Sequence, residues 1–496
     1  MRDTLLLHPR DNVAVALSAL VAGEIVRGPG RGVQIVQPIP RGHKFAMRAI
    51  KAGEDIIKFG QPIGHATKAI RAGAQVHLHN VRTNLEGVIE YAFQPTGEPL
   101  APVNDGRTFD GYLRSDGEVG IRNEIWILPT VGCVNGVAQE LAHRLRAQGL
   151  PAGVDGVHAW PHPHGCSQLG ADHEATRQIL AGLARHPNAG AVLILGLGCE
   201  NNTPAGFREL LGPVDPQRYR FLVTQEAEDE LAEGLRLLGE LAAHAAQARR
   251  QPLPLARLRV ALKCGGSDGL SGVTANPLVG AFSDQLIARG GTAVLTEVPE
   301  MFGAEALFMN RCRTRAVFDD CVAMINGCKE YFQRHHQAVY ENPSPGNKEG
   351  GITTLEEKSL GCLQKGGMAP VVAILPYGAR LREPGLNFLA GPGNDIVSVT
   401  ALAAAGAQLV LFTTGRGTPL GGPVPTLKIA SQSDLARRKT GWIDLNAGQL
   451  LEGVPLPALT EQLLQQVIEV ASGRQTTKNE RNGYREIALF KDGVTL

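Results

Sequence analysis

Cysteine is the residue type whose placement along this chain first suggests chemistry. Cys133, Cys199 and Cys264 each end an apolar run: Ile-Trp-Ile-Leu-Pro-Thr-Val-Gly-Cys, Leu-Ile-Leu-Gly-Leu-Gly-Cys and Val-Ala-Leu-Lys-Cys. Cys166 joins them in His162-Pro-His-Gly-Cys-Ser. Parallel sheets bind ligands where their strands end, and thiolates are soft donors for iron or zinc. The alternative is that these cysteines are small apolar fillers at tight strand ends. Their spacing is too wide for a zinc ribbon. A second group is His77-Leu-His79-Asn80. On a strand, residues two apart share a face, so both imidazoles are expected to project together, with His43 of Arg-Gly-His-Lys-Phe as a third. Paired imidazoles bind metal or shuttle protons near neutral pH; a solvated strand face is the alternative.

Glycine-rich loops form a third group. Cys264-Gly-Gly-Ser-Asp-Gly-Leu-Ser-Gly272 directly follows an expected strand, and its amides can form an anion-binding nest. The stretch 341–351 carries Lys348 and leads into Thr354-Leu-Glu-Glu357, which reads as a capping box and helix start. Thr414-Gly-Arg416-Gly offers a guanidinium fork to a carboxylate. Each alone reads as a plain turn; together they favour a small anionic ligand. Three glycines at dinucleotide spacing and a P-loop are both missing from the sequence.

The elements that must position these groups read as α/β. Residues 1–92 are expected to form a small β domain, with strands at 33–36, 55–59 and 75–79 and Ala-Gly turns at 22–24, 52–54 and 72–74. Residues 93–106 read as an extended linker. Short apolar runs at 125–128, 191–197, 221–224, 258–262, 293–297, 371–375, 409–413 and 427–430 have the signature of parallel strands covered on both faces. The clearest helix spans 226–250, with Leu231, Leu235, Leu238 and Leu241 on one side. Gln251-Pro-Leu-Pro254 ends it and divides the body into units 107–250 and 251–496. At 496 residues, about three domains are expected. The 49 basic and 48 acidic residues leave a formal net charge of +1, which offers no field for nucleic acid or an anionic membrane. The eight cysteines lack a disulfide-framework spacing. With no long apolar run and only three consecutive leucines near the start, a cytoplasmic protein is expected.

In this order, several segments resemble the altronate/galactarate dehydratase family, which also includes sulfolactate sulfo-lyase. They are Arg41-Gly-His-Lys-Phe-Ala, His77-x-His-Asn80, Gly120-Ile-Arg-Asn123, Gly132-Cys-Val-Asn135, His162-x-x-Gly-Cys166 and Gly198-Cys-Glu-Asn201. Cys264–Gly272, Glu297–Glu305, Asn342–Asn347, Gly351–Gly361 and Thr414–Gly417 continue the series. The resemblance covers essentially the whole chain, and the tail 479–496 favours the altronate branch. It implies an N-terminal β-clip (SAF) domain, a middle α/β domain used in homodimer formation, and a Rossmann-like C-terminal parallel-sheet domain. It also implies iron(II), with manganese(II) as a substitute, and dehydration of D-altronate to 2-dehydro-3-deoxy-D-gluconate. An iron–sulfur cluster is equally open to four scattered thiols. Rival expectations are a related aldonate or aldarate dehydratase, a sulfolactate-type lyase, and a non-catalytic sugar-acid sensor.

On this reading Cys133, Cys166, Cys199 and Cys264 supply the metal ligands, with Glu200 nearby. His43, His77 and His79 are acid/base candidates. Lys58 either tunes a neighbour or takes the proton. Arg122, Lys348 and Arg416 are expected on the substrate carboxylate, and Asn123, Ser267, Asp268 and Asn276 on its hydroxyls.

Overall fold

Short β-branched runs between Ala-Gly turns build the N-terminal unit. The computed structural model describes residues 3–27 and 32–496. It pairs Thr4–Leu5, Val13–Ala16, Lys44–Ala46 and Gln75–Val76 in one antiparallel sheet, and Asp55–Lys58, Gln61–Ala66 and Val81–Arg82 in another. Gly23 and Gly53 turn the chain at φ of 90° and 79°, where a Cβ costs roughly 1–2 kcal/mol. Glu24 and Glu54 close these turns by accepting from the amides of Val21 and Lys51.

The strand expected over 75–79 stops at Val76. Asn80 is the reason: its Oδ1 accepts from the His77 amide, and its Nδ2 donates to the Gln75 carbonyl. The chain turns over 77–80, so His77 and His79 do not share a strand face. His77 is half-buried and His79 is exposed.

The middle unit is a four-stranded parallel sheet, ordered Gly156–Ala159, Glu124–Pro129, Ala189–Gly196, Tyr219–Val223. Ala189–Gly196 is buried along its whole length, as its unbroken apolar run predicts. Helices Asn135–Gln148 and Glu230–Ala245 cover one face. The second begins later than its apolar pattern because Asp229 caps it, accepting from the amides of Leu231 and Ala232. Gln251–Pro254 does more than end that helix. It is an edge strand, antiparallel to Thr108–Leu113, where the missing proline N–H groups are harmless.

The C-terminal unit holds seven parallel strands, ordered Val371–Leu375, Gly385–Leu389, Thr292–Leu295, Arg259–Cys264, Leu409–Thr414, Thr426–Ala430, Leu445–Asn446. The chain leaves the central strand Arg259–Cys264 to one side and returns on the other. This makes a switch point at its C-terminal end, where open parallel sheets bind ligands. Helices Gly170–Ala184 and Asp395–Ala404 pack between the two sheets, so one apolar core joins Ile194 and Val192 to Val410 and Phe412.

The segment 93–106 lies along the C-terminal unit. The Thr96 amide donates to Asn310, the Val103 amide donates to Ala288, and Phe93 packs on Phe318. Among the described residues, no helix is long and apolar enough to cross a membrane.

Ile194 lies in that shared core with 1% of its surface exposed. Ile194→Ala is expected to cost about 2–5 kcal/mol, read as a lower urea midpoint for the middle unit. A loss below about 1 kcal/mol would mean that the core is loosely packed there.

Candidate active site

The central strand Arg259–Cys264 ends in a buried cluster of charges and thiols. Lys263 contacts Glu297, and its Nζ is 2.8 Å from Asp395 Oδ1. Lys365 Nζ lies 2.8 Å from Cys264 Sγ and 3.4 Å from Glu297. Lys358 Nζ is 2.7 Å from Glu300 Oε1. Glu297 adopts φ +70°, a left-handed conformation uncommon for a non-glycine residue. It opens the 3-10 turn Val298–Met301, which brings Glu300 back to the strand end.

Glu300 Oε2 is 3.2 Å from Cys264 Sγ and 3.0 Å from Cys362 Sγ, and the two sulfurs are 3.4 Å apart. Among the described residues this is the one group of three His, Cys, Asp or Glu donor atoms all within 4.8 Å of one another. Burial opposes ionisation of Glu300, but the ammonium groups of Lys358, Lys263 and Lys365 outweigh it and hold the carboxyl well below its ordinary range. The hydrogen bond to Cys264 and burial push the Cys362 thiol up.

Two sulfurs and a carboxylate oxygen are a donor set for iron or zinc. The charges agree. Lys263, Lys358 and Lys365 face Glu297, Glu300 and Asp395, so the cluster is balanced with neutral thiols. It stays balanced if a divalent cation enters as two thiol protons leave.

A cavity of about 550 Å³ opens onto this centre, lined by Gly265, Gly266, Glu300, Asn342, Lys358 and Asp395 among others. Its size suits a small ligand. Hollows of about 690 and 970 Å³ lie elsewhere, beside Arg146 and Arg250 and beside Arg208 and Glu233. Neither adjoins the buried thiols, so the smaller cavity is the better candidate.

The N-terminal unit docks beside this centre. Lys44 and Lys58 each place Nζ 2.7 Å from a different oxygen of Glu357, and all three side chains are buried. The Thr353 amide and hydroxyl also donate to Glu357. Thr354 does cap the helix Leu355–Leu363 by accepting from the Glu357 amide. The Glu357 carboxylate makes no return bond to that cap, because the two lysines hold it. A gap of about 10 Å³, enough for about one water, has Lys58 and Asn276 in its lining together with Lys358 and Cys362.

His43 and His77 stack with ring centroids 5.1 Å apart. Their Nε2 atoms lie 3.1 and 2.9 Å from the carbonyls of Glu349 and Lys348. A carbonyl only accepts, so each Nε2 carries the proton, and His43 Nδ1 is free to accept from Gln75. Burial lowers both pKa values, that of His77 to about 4. Both rings are therefore neutral at pH 7, with these protons engaged in docking.

The other expected site residues divide in two. Around the centre, Asn276 donates to the Gly361 carbonyl and accepts from Thr413. The Asp268 carboxylate accepts from Ser271, Ser431 and Gln432. Ser267 gives its carbonyl to Asn347, while its buried hydroxyl has no partner. Lys348 is half-buried, and exposed Arg416 pairs with Glu349 at 3.1 Å.

Arg122 and Asn123 lie elsewhere. Arg122 pairs with Glu480 and donates to the carbonyls of Ile121 and Val470. Asn123 bonds Arg114, Gly153 and Ala245. Both sit where the middle sheet begins, and their polar groups are consumed by the protein itself. The four-cysteine ligand set is divided as well. Cys133, Cys166 and Cys199 follow strands of the middle sheet and are exposed, whereas Cys264 is buried in the other unit. Glu200 is a tie between loops, accepting from Thr130, Leu197 and Gly198.

Sequence reasoning assigned no role to Lys263, Glu297, Glu300, Lys358, Cys362, Lys365, Asp395 or the Lys44–Glu357 pair. A readable signal existed for two of them. Lys263 interrupts an apolar strand one residue before Cys264, and Glu297 closely follows another. Charged residues in such places are buried only when paired.

Glu357→Gln leaves two ammonium groups facing a neutral amide. Breaking such a buried pair costs roughly 3–5 kcal/mol, so the linker 93–106 should become markedly more sensitive to protease. His77 binds its proton more weakly folded than unfolded, so protonation favours undocking. Its contribution to stability is present above about pH 6.5 and is lost as pH falls towards about 4. The hydrogen-exchange protection factors of residues 75–82, taken relative to the intrinsic rate at each pH, should fall over that range; unchanged protection factors would contradict the buried neutral imidazole.

Three family models match consecutive parts of the chain. They are the altronate/galactarate dehydratase SAF domain over residues 2–84, the second domain of D-galactarate dehydratase/altronate hydrolase over 111–246, and the C-terminal domain of D-galactarate/altronate dehydratase over 255–495. Altronate dehydratase of Escherichia coli (strain K12) is 54% identical over 491 residues, covering 99% of both chains. Altronate dehydratase of Bacillus subtilis (strain 168) is 50% identical over 498 residues and the full length of both. Galactarate dehydratase (L-threo-forming) of Escherichia coli (strain K12) is 34% identical over 506 residues, or 98% of this chain and 96% of that one. Matched from its N-terminal β unit to its last strands, the chain belongs to the altronate/galactarate dehydratase family.

Proposed function

We propose that this protein is a hydro-lyase that converts D-altronate to 2-dehydro-3-deoxy-D-gluconate and water at the end of the C-terminal sheet. The observation that carries the site is the buried Cys264–Glu300–Cys362 group, whose Glu300 lines a 550 Å³ cavity. The altronate dehydratases at 54% and 50% identity favour altronate over galactarate, whose dehydratase is 34% identical.

We assign Cys264, Glu300 and Cys362 as holders of iron(II), with manganese(II) as substitute. Such an ion, when bound, draws electron density from the oxygens of a hydroxy acid and acidifies the adjacent C–H. The protein's own groups supply the rest. The Lys358 pKa is raised because Glu300 outweighs the effect of burial, so its ammonium is permanently charged and suited to hold the substrate carboxylate. Asp395 lines the same cavity, with Oδ1 fixed by Lys263. In this reading Asp395 takes the C2 proton, the electron pair forms the C2–C3 double bond, and the C3–O bond breaks. The same carboxyl then delivers the proton to the departing hydroxyl, which leaves as water. The enol product tautomerises to the keto acid. General acid–base help of this kind contributes about 10²–10⁴-fold. His43, Lys58 and His77 act through position, by clamping residues 348–357 against the site.

With iron(II) and a reductant, keto acid should form faster from altronate than from galactarate or sulfolactate. Binding of altronate without keto acid would instead make the protein a sensor. Asp395→Asn should lower kcat at least about a hundredfold with a smaller change in KM. Chelation should abolish turnover until iron(II) is restored, and Cys362→Ser or Glu300→Gln should lower iron content. Undiminished turnover by fully stripped enzyme would end this reading.

A further inference from the structure

Three of the eight cysteines are exposed, and all three stand on one rim of the middle sheet. Four of the others are buried and one is half-buried, the usual state for a residue that behaves as a small hydrophobe. Cys133, Cys166 and Cys199 follow the adjacent strands Glu124–Pro129, Gly156–Ala159 and Ala189–Gly196 at their C-terminal ends.

Their loops are tied directly to each other. The Gly132 amide donates to the His164 carbonyl at 2.8 Å, joining the neighbours of Cys133 and Cys166. The Ser167 amide donates to Asn201 Oδ1 at 2.7 Å, and the Asn202 amide donates to the Gly165 carbonyl at 2.9 Å, joining the Cys166 and Cys199 loops. Asn202 Nδ2 also donates to Thr130, below Cys133. Glycine is required where the loops close. A Cβ on Gly165, at φ +102°, would lie 2.0 Å from the Thr130 carbonyl oxygen, and one on Gly132 would lie 2.8 Å from that of His162.

We propose that Cys133, Cys166 and Cys199 hold an iron–sulfur cluster of the cubane class, a second centre apart from that at Cys264. A single tetrahedral ion with metal–sulfur bonds of about 2.3 Å draws its sulfurs to within about 4 Å of one another. These three form no such close group, since the one set within 4.8 Å among the described residues is Cys264, Glu300 and Cys362. A cubane presents a different iron to each cysteine and so accepts more widely spaced thiolates. Each thiol releases its proton to solvent as its sulfur bonds an iron. Two ferrous ions, two ferric ions and four sulfides come from solution, so the cluster assembles with no electron gained or lost by the protein. This centre stands whether or not the Cys264 site is catalytic, and its test reads sulfide rather than turnover.

The test is anaerobic reconstitution of the full-length protein with equimolar ferrous and ferric iron and sulfide, followed by assay of acid-labile sulfide and visible charge-transfer absorbance. About four sulfides per chain are expected. The Cys264→Ser/Cys362→Ser variant should keep them, and the Cys133→Ser/Cys166→Ser/Cys199→Ser variant should lose them with unchanged circular dichroism. Alkylation mapped by mass spectrometry gives a reading on the unmutated chain: all three thiols should react before reconstitution and be protected after it. Absence of labile sulfide in the wild type, wild-type sulfide in the triple variant, or equal alkylation in both states would overturn the proposal.

Discussion

Charge pairing at the end of strand Arg259–Cys264 is the constraint on which the rest of the C-terminal unit is built. Taking an ion from water into a protein interior costs several kcal/mol even after relaxation. Lys263, Lys358 and Lys365 are nevertheless buried within a few ångströms of one another's partners. The arrangement is tolerable because Glu297, Glu300 and Asp395 meet them, and this requirement shapes the backbone. Glu297 accepts a left-handed conformation, and the turn Val298–Met301 places two carboxylates, three residues apart, at one strand end. The same neutrality leaves room for a cation whose charge is matched by the loss of two thiol protons.

The N-terminal unit meets this cluster through a second compensated group. Glu357 precedes Lys358 in one helix, so the carboxylate that anchors Lys44 and Lys58 is covalently next to the ammonium paired with Glu300. Docking of the small domain and alignment of the cavity wall are thus mechanically one event. His43 and His77 reinforce it as neutral donors to backbone carbonyls, which suits buried imidazoles better than charge would.

The two parallel sheets use their C-terminal edges differently. The middle sheet presents three exposed thiols on loops laced by amides, with few charged groups among the ties. The C-terminal sheet presents two buried thiols inside a charge cluster. The common core between the helices Gly170–Ala184 and Asp395–Ala404 fixes the two edges relative to each other. The C-terminal tail connects the regions. Glu486 lines the 550 Å³ cavity, and the Leu496 amide donates to Ser167 beside Cys166.

Much of this architecture is legible in the amino-acid order. Apolar runs such as 191–197 and 409–413, too short for most helices, have the signature of strands covered on both faces, because an exposed face would place those side chains in water. Cysteines and glycines at their ends mark the rims, and the ordered motifs carry the family. Local pattern could not decide which rim each cysteine occupies, because that depends on which strands pair: the strand ending at Cys264 joins Thr292–Leu295 and Leu409–Thr414, whereas that before Cys133 joins Gly156–Ala159 and Ala189–Gly196. Nor could it reveal that Arg122 and Asn123 are consumed by Glu480 and Gly153, or that Asn80 bends the chain before His79. The amino-acid order alone determined an α/β chain with strand-end chemistry. The tertiary structure decided which buried charges cancel, and hence which thiols, carboxylates and ammonium groups can share one cavity, because electrostatic compensation depends on distances between residues far apart in the chain.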